Sequence, residues 1–405
     1  MTKLSLGDLD LYAKRVLVRV DFNVPLRPKD TATQQNNTRY EVADDTRIRA
    51  ALPTLRTIIE ASGKAILLSH LGRPNGVPDS QYSLSPVAEH LSDVIGQRVR
   101  FSSDTIGPVV QKTIRSMPNS SLLLLENTRF FPGETQNDPA FAAALADLGD
   151  VFVNDAFGTS HRAHASNVGV ATKMNQAAAG LLLEREIRHL GRALEAPERP
   201  MIALLGGAKV SDKIGVITNL IGIVDEIIIG GAMSYTFLKA SGHSTGCSLV
   251  EDSLLNHAKA MLESAGGKLS LPKDHIISTS IDTASRSSIV SGSIPDGYMG
   301  LDIGPETVAR YTRILRNART IIWNGPMGVF EVDAFAAGTR AMATAVAEAT
   351  KRGAMTIVGG GDSVAAITEA GLANSVRHIS TGGGAMLEFL EGKALPGLAT
   401  LTDKA

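Results

Sequence analysis

One kind of segment recurs along this chain and constrains it most: short runs that are apolar at successive positions, set between longer stretches of helical periodicity. RVLVRV (15–20), AILLS (65–69), LLLL (122–125) and VFV (151–153) come first. IALL (202–205), III (227–229), TIIW (320–323), TIV (356–358) and HIS (378–380) follow. A strand with one wet face alternates apolar and polar residues, whereas a strand covered on both faces does not. Between the runs, Ile214, Ile217, Leu220, Ile221 and Val224 form one apolar stripe. Ser85-Pro86 has the form of an N-cap followed by proline in the first turn. Strands and helices alternate throughout, so the expected fold is α/β, with parallel sheets covered on both faces.

A chain of 405 residues exceeds one ordinary core. LLLEREIRHLGRALE (181–195) reads as an amphipathic helix, and the breaker-rich APERP (196–200) follows it. We therefore expect two doubly wound, Rossmann-like domains, 1–180 and 200–389, joined by a linking helix within 181–199. Forty Lys and Arg against 41 Asp and Glu disfavour a nucleic-acid coat or a polybasic membrane binder. The single cysteine, Cys247, excludes an internal disulfide framework and any cysteine-based zinc site, and suits a reducing compartment. No apolar run reaches about 18 residues, and MTKLSLGDLD lacks a signal core. A soluble cytoplasmic protein is the expectation. RPKDTATQQNNTRYEVADD (27–45) is long for a loop and reads as exposed and mobile.

In open parallel sheets ligands bind beyond the carboxyl ends of the strands. In the first half those ends are DFN (21–23), HLGRP (70–74), ENTRF (126–130) and NDAFGTSHRAH (154–164). Three of them carry an arginine: Arg73, Arg129 and Arg162. Arg47 opens the next helix. Four guanidiniums brought together repel unless an anion joins them, and their fork suits phosphate and carboxylate. A small ligand with more than one negative group is the expected occupant. The accompanying His70, His161 and His164 are individually weak signals, His70 the strongest of them.

The second half ends its strands on glycine: GGAKVSDK (206–213), GGAMSY (230–235), NGPMGVFE (324–331), GGGDS (359–363) and TGGGA (381–385). Glycines allow close backbone approach, and N–H groups at a helix start attract phosphate. Lys209 and Lys213 add cations, and Asp362 offers a hard oxygen for Mg²⁺. Neither G-x-x-x-x-G-K-[ST] nor G-x-G-x-x-G is present. The residues point to phosphoryl transfer between a small anion and a Mg-nucleotide. A nicotinamide-dependent dehydrogenase would need a glycine fingerprint where DFN stands. A small-anion binding protein would not need the second half's lysines and glycine turns.

RVDFNVPL (19–26), SHLGRP (69–74), NDAFGTSHRAHAS (154–166), GGAKVSDKI (206–214), WNGPMGVFE (323–331), GGGDS (359–363) and STGGGA (380–385), in this order, closely resemble the phosphoglycerate kinase family. The resemblance implies a hinge-bending monomer that transfers a phosphoryl group between 1,3-bisphosphoglycerate and ADP, forming 3-phosphoglycerate and ATP, without nucleic-acid or membrane partners. It implies that Asp21, Phe22, Asn23, Arg47, His70, Leu71, Gly72, Arg73, Arg129 and Arg162 hold the phosphoglycerate. Gly207, Ala208, Lys209, Lys213, Gly230, Asn324, Pro326, Glu331, Gly359, Gly360, Gly361, Asp362 and Ser363 would hold the nucleotide, Pro326 near the base, Glu331 near the ribose and Asp362 on Mg²⁺. Arg47, Lys209, Gly382 and Gly383, with Gly384, would approach the transferring group. The resemblance also implies that about 390–405, with LPGLATL (395–401), returns to the first domain. Hinges are expected at the ends of the 181–195 helix and near 381–390. Segment 27–45 looks longer than usual for the family, which leaves the path into Arg47 open; Thr128 stands where leucine is common and Cys247 where lysine is, and neither of these two is a substrate position.

Overall fold

The computed structural model describes residues 3–29, 39–282 and 286–404, which divide into two compact units, 1–188 with 394–405, and 189–393. The division falls inside the helix Leu181–Glu195. Among the described residues no helix is long and apolar enough to cross a membrane.

The first unit holds β1 (Arg15–Val20), β2 (Leu26–Pro28), β3 (Tyr40–Val42), β4 (Lys64–Leu68), β5 (Val99–Ser102), β6 (Leu122–Leu125), β7 (Val151–Asp155) and β8 (Ala177–Ala179). Six of these form one parallel sheet in the order β5-β6-β4-β1-β7-β8. Val18, in its middle, lies opposite Leu67 on one side and Val153 on the other, and all three are fully buried. Helices cover both faces, which is why these strands carry no polar alternation. β2 and β3 pair antiparallel as the stem of a hairpin. Segment 27–45 is therefore partly strand rather than loop, and its stretch 30–38 lies outside the described residues.

The second unit holds β9 (Met201–Leu205), β10 (Glu226–Ile229), β11 (Leu269–Ser270), β12 (Asp274–Ser278), β13 (Ser288–Ser291), β14 (Met299–Ile303), β15 (Thr320–Asn324), β16 (Met355–Gly359) and β17 (His378–Ile379). Its parallel sheet runs β11-β10-β9-β15-β16-β17. That is the doubly wound order whose direction of progression reverses between β9 and β15, where ligands bind in such sheets. A separate antiparallel sheet, β13-β12-β14, lies outside the sequence expectation. Its strands have four or five residues each, β13 mostly exposed and β12 and β14 largely buried, and leave little periodic signal.

Two local expectations need correction. Ser85 is the first residue of its helix rather than the cap, because the N–H groups there find other partners. Ser83 Oγ accepts from Ser85 N–H at 3.2 Å and Glu126 from Leu84 N–H at 2.9 Å. Val224 lies beyond the helix Ile214–Ile221, though it is buried like Ile217 and Leu220.

The C-terminal segment belongs to the first unit. Leu4 N–H donates to the Thr402 carbonyl at 2.7 Å, and Thr402 N–H to Ala177 of the edge strand β8 at 2.9 Å. Gly397 N–H donates to Ser160 at 2.9 Å, and Asn154 Nδ2 to Gly397 at 3.0 Å.

Candidate active site

In the first unit, the ends of β1, β4 and β6 are bonded to one another. After β1, Phe22 N–H donates to Ser69 Oγ at 3.0 Å, and Asn23 Oδ1 accepts from Gly72 N–H at 2.9 Å. After β6, Asn127 Oδ1 accepts from Leu71 N–H at 3.2 Å, and its Nδ2 returns a bond to the Leu71 carbonyl at 2.7 Å. Arg129 Nη1 donates to the Gly72 carbonyl at 2.7 Å. Gly72 has φ +60°, and a Cβ there would sit 2.3 Å from the Tyr82 ring, so the turn requires glycine. After β7, Asn167 holds the loop that bears Arg162. Its Oδ1 accepts from His164 N–H at 2.9 Å, and its Nδ2 donates to the Arg162 carbonyl at 2.9 Å.

Arg73, Arg129, Arg162 and His164 line one cavity of about 390 Å³. Arg47 lies outside that lining, tied to Asp21 and to the carbonyl of Asn23. Phe22 and Leu71 turn their side chains into the hydrophobic core, so only their backbone is available to a ligand. His161 accepts from Arg162 Nε at 3.0 Å.

Arg19 is the main group the sequence reading missed. It lies within β1 and is fully buried. Its Nε donates to Ser166 Oγ at 2.8 Å, and its Nη2 lies 3.1 Å from His70 Nδ1. A guanidinium only donates, so His70 accepts at Nδ1 and carries its proton on Nε2. Beneath lies Glu134, also fully buried, accepting from Ser166 N–H at 3.0 Å and Ser166 Oγ at 2.6 Å. The one signal for Arg19 was a charge inside an otherwise apolar strand; Glu134 had none.

The electrostatics show a surplus of positive charge. Burial, then Arg162 and Arg19, pull the Arg129 guanidinium down to about 10, with Glu134 acting in the other direction. Burial, then Arg19 and Arg129, push His164 down to about 4. Burial and the same two arginines hold His70 well below the ordinary histidine value. Cations that disfavour one another's charge this way are stabilised by an anion with several negative oxygens.

In the second unit, the turns after β9, β10 and β15 cross in contact. Gly206 N–H donates to Asn324, Gly207 N–H to Pro326 and Gly231 N–H to Met327, each at 3.0 Å. A Cβ on Gly206 or Gly325 would land 2.1 Å from a carbonyl of the opposing turn. Several of the glycines thus serve protein packing: Gly230 lies against Met327, Gly359 against Met386 and Gly360 against Asn324. Gly207, Gly361 and Gly383 instead face open space, where a ligand can approach.

Gly207, Ala208, Pro326, Glu331 and Asp362 line a cavity of about 310 Å³. Tyr235, Leu249, Met299, Leu301 and Val329 supply an apolar wall that the sequence did not reveal. These residues are apolar and scattered along the chain, so nothing marked them chemically. Lys213, mostly buried, donates to Asn324 Oδ1, whose Nδ2 donates to the Gly359 carbonyl at 2.9 Å. Burial pulls the Lys213 ammonium down to about 8 against the attraction of Asp212 and Asp362. Ser363 Oγ accepts from Gly325 N–H at 2.5 Å. Lys209 is exposed and outside the cavity lining. Gly382 N–H donates to Ser380 Oγ at 3.1 Å, and Gly383 (φ +50°) precedes the helix Gly384–Leu390. Among the described residues no three His, Cys, Asp or Glu side chains are grouped to hold a metal. Asp362 is one exposed carboxylate in the first turn of its helix, a donor that fits Mg²⁺ arriving with nucleotide phosphates.

Comparison with known proteins gives one family by sequence and by fold. The phosphoglycerate kinase family model matches residues 6–393. The phosphoglycerate kinases of Salinibacter ruber and Rubrobacter xylanophilus are 54% and 52% identical, over all of this chain and 99–100% of theirs. The solved phosphoglycerate kinase structures from Coxiella burnetii and Pyrococcus horikoshii superpose with TM-scores of 0.86 and 0.83, at 41% and 31% identity, each covering 98% of both chains. Fold and whole-length similarity agree: the chain belongs to the phosphoglycerate kinase family.

Proposed function

We propose that this protein reversibly transfers a phosphoryl group from 1,3-bisphosphoglycerate to ADP, giving 3-phosphoglycerate and ATP. The observation that carries the reading is the unbalanced cation cluster around Arg129, whose neighbours Arg19, Arg73 and Arg162 all disfavour its charge. Phosphoglycerate has the two anionic ends such a cluster calls for. Arg73, Arg129 and Arg162 hold it, with His70, Asn23 and the backbone of 70–72. Asp21 accepts from its hydroxyl. The nucleotide places its base against Leu249, Met299, Leu301 and Val329, its ribose near Glu331, and its phosphates over Gly207, Ala208, Lys213 and the 359–363 turn. Asp362, together with the phosphates, would hold Mg²⁺, which would supply positive charge against them.

The chain's own chemistry is positioning and charge neutralisation. A general base is unnecessary, because the acceptor in the ATP-consuming direction is a carboxylate already ionised at pH 7. Arg47, Lys209 and the N–H groups of Gly382–Gly384 take up the charge of the transferring group. Direct transfer requires donor and acceptor to meet. Saturation with both substrates is therefore expected to make the protein more compact in solution scattering, with hinges at the ends of the helix Leu181–Glu195 and near 381–390.

The test is a coupled assay of ATP-dependent consumption of 3-phosphoglycerate, with and without Mg²⁺. Turnover that needs all three components supports the reading. Folded protein without turnover overturns it.

A further inference from the structure

One wall of the second-unit cavity has little side-chain material of its own. Gly300 and Gly328 both line it, so whatever fixes its shape must act from behind. At Gly300 the neighbour is Tyr235, itself a lining residue, whose phenol oxygen would lie 2.0 Å from an added Cβ. At Gly328 the neighbour is Asp302, which acts from behind. It directly follows the cavity residues Met299, Gly300 and Leu301, is buried, and does not line the cavity. Its Oδ1 accepts from Ile303 N–H at 2.9 Å, and its Oδ2 from Gly338 N–H at 2.7 Å. A Cβ on Gly328 or Gly338 would come within 2.4 or 2.3 Å of Oδ1, so the carboxyl lies directly against both glycines. The next residue, Val329, donates its N–H to the Leu301 carbonyl at 2.8 Å.

A buried carboxyl bonded to two backbone N–H groups is costly to desolvate, and here burial pushes it up to about 7. We propose that Asp302 is a positioning residue for the nucleotide base: it sets the spacing between the Met299–Leu301 and Gly328–Val329 walls without touching the ligand. The inference rests on the reading of this cavity as the nucleotide site. It differs from a general stabilising role because it concerns the base and not the phosphates.

Asp302→Asn keeps the shape but turns an amide NH₂ toward one of two backbone donors, so one bond becomes a donor–donor contact. Gly338→Ala displaces the carboxyl from the other side. Circular dichroism and thermal unfolding establish that each variant is folded. For both we expect the Kd and KM for ADP to rise about tenfold or more, the scale of leaving one buried backbone donor without its acceptor. We expect kcat and the KM for 3-phosphoglycerate to stay within about threefold. Inorganic tripolyphosphate, which has phosphates and no base, should inhibit wild type and variants equally. The proposal is overturned if ADP affinity is unchanged in both folded variants, or if ADP and tripolyphosphate weaken together. Absence of ADP binding by the wild type would instead refute the nucleotide reading itself.

Discussion

Arg47 reaches from the first turn of its helix to Asp21, Nη1 to Oδ2 at 3.0 Å, and the same nitrogen donates to the Asn23 carbonyl at 3.1 Å. One corner of the guanidinium is thus fixed to the turn after β1, and the rest of the planar fork keeps a set direction. We expect Arg47→Ala to lower kcat by about 10² or more while nucleotide affinity is nearly intact, as for other removed transition-state donors. Steady-state kinetics with a direct measurement of ADP binding checks this; near-normal kcat would remove Arg47 from the mechanism.

Lys213 is held at about 8 by burial. A bound polyphosphate favours its charged form and raises that value, so nucleotide binding above pH about 8 should take up a proton. Affinity should fall with rising pH there, by up to about tenfold per unit. Calorimetry in buffers of different ionisation enthalpy measures the uptake, and Lys213→Met should abolish it.

His164 is held down to about 4, chiefly by burial and then by Arg19 and Arg129. An unfolded histidine takes up its proton near 6.5, the folded one only near 4, so between these values the unfolded state binds more protons. Stability from this source is complete above about 6.5 and is lost as pH falls toward 4, with His70 acting in the same direction. His164→Gln should flatten the acid limb of the stability curve by up to about 1.4 kcal/mol per pH unit. Urea unfolding across that range reads the slope, and an unchanged slope would reject the assignment.

Leu401 is 2% exposed in the C-terminal segment, beside the backbone bonds of Thr402 to Leu4 and Ala177. Leu401→Ala should cost about 2–5 kcal/mol, as buried leucine truncations do. Denaturant unfolding measures this. A loss near zero would mean that the segment adds little to the first unit.

The local chemistry decided much of this protein. Runs without polar alternation, such as LLLL and TIIW, point to strands covered on both faces, and arginines or glycines clustered just past them point to ligand-binding turns. Reading 15–20, 122–125 and 320–323 as strands needed no coordinates, whereas the expected group of four arginines divides in the structure, with Arg73, Arg129 and Arg162 lining one cavity and Arg47 outside that lining. Tertiary structure decided what depends on approach between distant segments. Arg19 becomes a site group only because β1 lies beside the loop bearing Ser166. Asp302 becomes a brace only because Gly328 and Gly338 press on it. Glycines alike in sequence divide into those facing protein, such as Gly230 and Gly359, and those facing open space, such as Gly207 and Gly361. Composition and spacing report what a residue is able to do; burial and partners, set by the whole chain, determine which of those things it does.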